Sequence, residues 1–132
     1  MNHEWQRATE EGDLEEVRRL LESGAYIDAK DRYGQTALMN AAHAGNVELV
    51  RLLVERGADL DVTAKYNLSA LMLALIGRHT EVARLLIEAG ADVTLRGSRA
   101  FQGRTALSLA QDGGFDEIVE LLNGRGTNLQ DC

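Results

Sequence analysis

Apolar residues in this chain come in short bursts at helical spacing, and glycines separate the bursts. Ala37, Leu38, Met39, Ala41 and Ala42 form one burst before Gly45. In the next, Val47, Val50, Leu53 and Val54 make a stripe with Leu49 and Leu52 beside it, before Gly57. Apolar positions returning every three to four residues mark an amphipathic helix. Residues 37–44 and 47–56 therefore read as two helices joined at Gly45. Thr36 is placed to accept an amide hydrogen bond at the first turn, and glycine at 45 permits the left-handed backbone that reverses the chain.

The pattern recurs. Shifted by 33 residues, Gly34, Thr36, Ala37, Leu38, Met39, Leu52, Leu53, Gly57, Ala58 and Asp59 fall on Asn67, Ser69, Ala70, Leu71, Met72, Leu85, Leu86, Gly90, Ala91 and Asp92. Shifted the other way, Gly45 and Gly57 fall on Gly12 and Gly24. Self-similarity at such a period is the signature of stacked repeats, in which no unit can bury its own apolar face and neighbours share one core. The expected fold is an all-α repeat solenoid, one domain over 1–132, with units of about 1–30, 31–63, 64–96 and 97–132.

The end units differ as caps should, because each has only one neighbour. In the first, helices are expected at His3 to Glu11 and Leu14 to Ser23, with Trp5 in the slot of Leu38 among polar residues. The fourth begins three residues late, the addition lying between Leu95 and Gln102; its last helix is expected at Asp116 to Asn123, with fraying from Gly124 onward. In the third unit Arg78 stands where positions 12, 45 and 114 are glycine. Left-handed backbone at a non-glycine residue costs on the order of 1 kcal/mol, so Gly77 is expected to take the turn.

Composition narrows the function. With 14 basic and 21 acidic residues the net charge is −7, which disfavours nucleic-acid binding, since that needs clustered cations. The only cysteine is Cys132, so no intrachain disulfide forms; there is no long apolar run and no apolar leader after Met1. A cytoplasmic protein without a membrane partner is expected. Glu48, Arg51 and Glu55, repeated as Glu81, Arg84 and Glu88, form a solvated ladder on the second helices, each pair contributing about 0.2–0.5 kcal/mol. Nothing in that periodic setting would raise a carboxylate pKa for acid–base work. His3, His43 and His79 lie in different units without cysteine or carboxylate at ligand spacing, and phosphate-loop and nucleophile-elbow patterns are missing. Neither an enzyme, a cofactor nor a metal site is expected.

Thr-Ala-Leu before an alanine-rich helix, Gly-Asn at the inter-helix turn and Leu-Leu-x-x-Gly-Ala-Asp at the end of the unit resemble the ankyrin repeat, over nearly the whole chain. The resemblance implies helix-turn-helix units with β-hairpin-like finger loops, and non-catalytic protein recognition through the finger tips and the exposed side of the first helices. Carried onto this chain, the tips are Arg32, Tyr33 and Gln35, then Lys65, Tyr66 and Leu68, then Ser98 to Gln102, with Arg99 and Phe101, and Arg104; the helix positions are Glu10 and Glu11, then His43 and Ala44, then Ile76 and Gly77, then Asp112 and Gly113. The chain departs from the family pattern in two ways. Ala37, Ala70 and Ala106 stand where the family prefers proline, and Met39, Met72 and Ser108 where it has the histidine that hydrogen-bonds neighbouring repeats. Those bonds are expected to be missing, leaving the stack dependent on apolar contact.

Tyr33, Tyr66 and Phe101 recur once per unit in a chain with only 5% aromatics. Amphipathic rings favour binding hot spots because they lose little side-chain entropy on association; the competing role is packing on the next finger. Arg96, Arg99 and Arg104 lie between Val93 and Gln111 without an acid, a positive finger suited to an acidic segment or phosphate of a partner, or simply a solvated loop. The expected function is a monomeric module that binds a protein partner. The alternative is a self-associating assembly module that buries Leu68, Ile76 and Phe101 against another copy.

Overall fold

The computed structural model describes residues 2–99 and 102–131, with backbone alone for 125–131. Its helices are α1 (His3–Glu11), α2 (Leu14–Glu22), α3 (Ala37–Ala44), α4 (Val47–Glu55), α5 (Ala70–Ile76), α6 (Thr80–Glu88), α7 (Ala106–Gly113) and α8 (Asp116–Asp131). No strand forms among the described residues; one isolated antiparallel bridge joins Arg96 and Thr105. Six of these helix starts have a local side-chain cause, while α6 starts after His79 without a side-chain cap. Asn2, Asp13, Thr36, Asn46, Ser69 and Thr105 accept from amides of the first turn that have no partner within the helix.

The helices pair as hairpins, and the hairpins stack into two layers. The first helices form one layer, α1 on α3, α3 on α5 and α5 on α7; the second helices form the other, α2 on α4, α4 on α6 and α6 on α8. Between them runs one continuous core in which Trp5, Leu38, Met39, Leu49, Leu53, Leu71, Met72, Leu86 and Ile118 are all at most 1% exposed. In α4 the buried face is Leu49, Val50, Leu52 and Leu53, while Val47 and Val54 are only half-buried. A helix with neighbours on three sides buries a wider arc than a single stripe, and that arc is centred on the leucines.

Met39 and Met72 are interior and purely apolar, yet the units are joined by hydrogen bonds at another place. The Asp59 N–H donates to the Asp28 carboxylate at 2.9 Å, and one period later the Asp92 N–H donates to Asp61 at 2.7 Å. The stack therefore does not rest on apolar contact alone.

Two expectations about the backbone are corrected. The last helix continues past Asn123 to Asp131, because Gly124 does not adopt the positive φ that would stop it. In the third unit Arg78, not Gly77, takes the left-handed turn: Arg78 has φ 64° and Gly77 has φ −78°. The neighbouring units explain both residues. Asn46 lies against the Gly12 turn, and the His79 ring lies against the Gly45 turn of the unit before it. The next member of this column is Phe115, whose ring centroid is 4.7 Å from the Arg78 guanidinium carbon. A cation over an aromatic face contributes about 0.5–1 kcal/mol at an exposed site, which offsets much of the left-handed cost. Gly77 is required for space instead: an added Cβ would lie 2.7 Å from His79 Cδ2 and 3.0 Å from the His43 carbonyl oxygen.

Candidate partner-binding surface

The loops between successive hairpins project as fingers, and each is closed by backbone bonds of antiparallel type. In the first, the Asp31 N–H donates to the Gln35 carbonyl and the Gly34 N–H to the Asp31 carbonyl, both at 2.9 Å. The Asp31 carboxylate then accepts from the Tyr33 N–H (2.8 Å), the Gln35 N–H (3.0 Å) and the Asn40 side-chain amide (3.2 Å). Burial pushes the Asp31 pKa up, but these three donors outweigh it and hold the carboxyl below its ordinary value. The result is a stiff loop with Tyr33 at its apex, 71% exposed, next to exposed Arg32. Gln35 is half-buried and serves the loop through its backbone.

The second finger turns through Tyr66 and Asn67, at φ 64° and 60°. Two consecutive left-handed residues without a glycine store strain, and the third finger is the place where it is compensated. The Tyr66 carbonyl accepts from the Ser98 N–H and the Asn67 side-chain amide donates to the Arg96 carbonyl, both at 2.7 Å. Tyr66 is 45% exposed, with Lys65 Nζ 5.1 Å from the centre of its ring. Leu68 faces inward at 8% exposure. Its expected place on the binding surface is thus corrected, because the residue before the Ser69 cap packs beneath the finger rather than on it.

The third finger is closed by the Gly97 N–H on the Arg104 carbonyl at 2.8 Å. Arg104 forms an ion pair with Asp112 of α7, Arg96 donates to the Gly103 carbonyl at 3.3 Å, and Arg99 is exposed. Arg104 and Asp112, read separately in the sequence, are therefore one electrostatic unit. Phe101 lies outside the described residues.

On the first helices His43, Ile76 and Asp112 are exposed and occupy equivalent positions, Ile76 at 39%. With Leu68 inside, Ile76 is the described residue left to support apolar self-association. Tyr26, 70% exposed, is an aromatic that the sequence reading passed over. The signal was there: Tyr26 fills the slot of Asp59 and Asp92, a polar loop position in the other units. On the opposite face Arg84 of α6 pairs with Glu117 of α8, so at least one ladder cation bridges units rather than turns of its own helix.

Among the described residues no three His, Cys, Asp or Glu side chains come together as a metal site. The His43 side chain is exposed on α3, whereas the His79 ring lies against the Gly45 turn. No helix among the described residues is long and apolar enough to cross a membrane.

Stacked helical hairpins with projecting fingers define the class as a repeat solenoid. The family model described as ankyrin repeats (3 copies) matches residues 5–97, and the chain belongs to the ankyrin repeat family. Members of that family are generally protein–protein interaction modules and typically non-catalytic. A search of curated proteins returns no match.

Proposed function

We propose that this chain is a monomeric, non-catalytic, cytoplasmic module of four ankyrin units, 1–30, 31–63, 64–96 and 97–132, whose end units act as caps. It holds one protein partner against its finger tips and the exposed side of α3, α5 and α7. The observation that carries this reading is Tyr33, 71% exposed on a loop fixed by three hydrogen bonds to Asp31. An exposed aromatic carried on a backbone that is already fixed has the loop's share of the ordering cost met before association. Tyr66, Ile76 and Arg99 extend the same exposed set, and the cationic third finger favours an acidic segment on the partner.

The test is affinity capture from a lysate of the source organism with the wild-type chain and with Tyr33→Ala/Tyr66→Ala. A partner is retained by the first and lost from the second, while the melting temperature of Tyr33→Ala stays within about 1 °C because little apolar area changes. Equal capture by both chains, or a large melting loss in Tyr33→Ala, overturns the assignment. Light scattering gives the mass of one chain at every concentration if the module acts alone.

A further inference from the structure

Charge in this protein is segregated. The finger segments 30–36, 63–69 and 96–105 contain six of the fourteen basic residues and one of the twenty-one acidic ones, a local balance of +5 against −12 for the remainder. The single acid, Asp31, is turned to its own loop, accepting from Tyr33, Gln35 and Asn40. Of the six cations, Arg104 is committed to Asp112, and Arg96 donates to Gly103. Lys30 and Arg32 are exposed on the first finger, Lys65 on the second, and Arg99, beside Arg96, on the third. The row is asymmetric: Arg32 shares a surface depression with Glu10 and Glu11, whereas no acid shares the Lys65 and Arg99 loops.

Resting on the reading of the fingers as the binding surface, we propose that the partner lays an extended acidic peptide segment along the tips. Its carboxylates recur about every third residue opposite Arg32, Lys65 and Arg99, with apolar residues between them against Tyr33 and Tyr66. The spacing follows from geometry. Packed helices lie about 8–10 Å apart, which sets the step from finger to finger, and an extended chain advances about 3.3 Å per residue, so one finger corresponds to about three residues. Complementary charge of this kind sets register and speeds encounter. A continuous polyanion fits less well, since Glu10 and Glu11 stand exposed on the adjoining helix and would repel unbroken phosphates.

The experiment uses the full chain and fluorescence anisotropy with two labelled synthetic peptides of equal composition, one with glutamate at every third position and one with its glutamates adjacent. A single-stranded oligonucleotide serves as the polyanion control. The spaced peptide binds about tenfold tighter than the clustered one, binding weakens as salt is added, and Arg32→Glu/Lys65→Glu/Arg99→Glu abolishes it. Arg18→Glu/Arg51→Glu/Arg56→Glu, the same charge change on exposed positions away from the fingers, leaves the spaced peptide's preference intact. Equal affinity for both peptides, tighter binding of the oligonucleotide, or retention by the finger variant overturns the proposal. Panning a random peptide library separates this failure from that of the finger-tip reading. Selected peptides that are neutral, and lost on Tyr33→Ala, remove the acidic segment and keep the surface; the absence of any selected peptide removes both.

Discussion

Gly34 and Gly45 provide a controlled comparison, because they share a positive φ and differ in surroundings. Their φ values are 78° and 77°. A Cβ added at Gly34 meets nothing within 4 Å, whereas one added at Gly45 lies 2.5 Å from His79 Cε1 and nearer still to Nδ1. Alanine at either site incurs the left-handed cost of about 1–2 kcal/mol. At Gly45 the imidazole must also be displaced from its seat between two turns, and overpacking of this kind adds about 1–3 kcal/mol. Gly34→Ala is therefore expected to destabilise by about 1–2 kcal/mol and Gly45→Ala by about 2–5 kcal/mol. In urea unfolding followed by far-UV circular dichroism, a slope of about 2 kcal/mol/M turns the difference into an extra midpoint loss of about 0.5–1.5 M. His79→Ala removes the obstacle, so in that background Gly45→Ala falls back to the Gly34 figure. If the two alanine substitutions cost the same in the wild-type chain, or if His79→Ala does not relieve the second, then the inter-unit seat of His79 is wrong.

Three further outcomes are expected. Asp28→Ala and Asp61→Ala each remove a carboxylate that accepts an amide of the next unit, costing about 1 kcal/mol apiece in chemical denaturation. The double variant is close to additive, and a loss below about 0.3 kcal/mol for both singles would strip the ladder of energetic meaning. Arg78→Gly relieves the left-handed cost but loses the Phe115 contact and gains unfolded-state entropy, so it lands within about 1 kcal/mol of neutral; stabilisation beyond about 1 kcal/mol would show that the cation over the ring contributes nothing. Asp31 has a lowered pKa in the folded chain, so its stabilising share is present above the unfolded value near 3.8 and is lost as pH falls through the folded value. Urea midpoints measured between neutral and strongly acidic pH should fall less steeply in Asp31→Asn, and identical pH slopes would refute that role.

Most of the fold was legible because helix and turn chemistry is local. Thr36 as a cap, Gly45 as a left-handed stop and the hairpin of α1 and α2 all follow from residues within a turn of one another. What was not legible depends on residues a whole unit apart. Arg78 looked like a misplaced residue until Phe115, 37 positions on, was found against it. The Asp28 and Asp61 bonds span 31 positions; the shift of one period aligns Asp59 with Asp92, but alignment of equivalents does not reveal that each amide reaches a carboxylate of the unit before it. At the candidate surface, Tyr33 and Ile76 could be placed outside by repeat register. Leu68 could not, because an apolar residue preceding a helix cap is equally compatible with tip or interior, and only packing under the finger decides.

The column of Asn46 against Gly12, His79 against Gly45 and Phe115 beside Arg78 bears on how such an array can lengthen. Each joint is keyed by a different pair. Duplicating 31–63 would set a second Asn46 over Gly45, reproducing the glycine–asparagine fit that already exists at the first joint. Duplicating 64–96 would bring His79 onto Arg78, a juxtaposition found nowhere in the chain. Growth by tandem copying is therefore easy at one seam and obstructed at the next, and the order of the units is written into their turns.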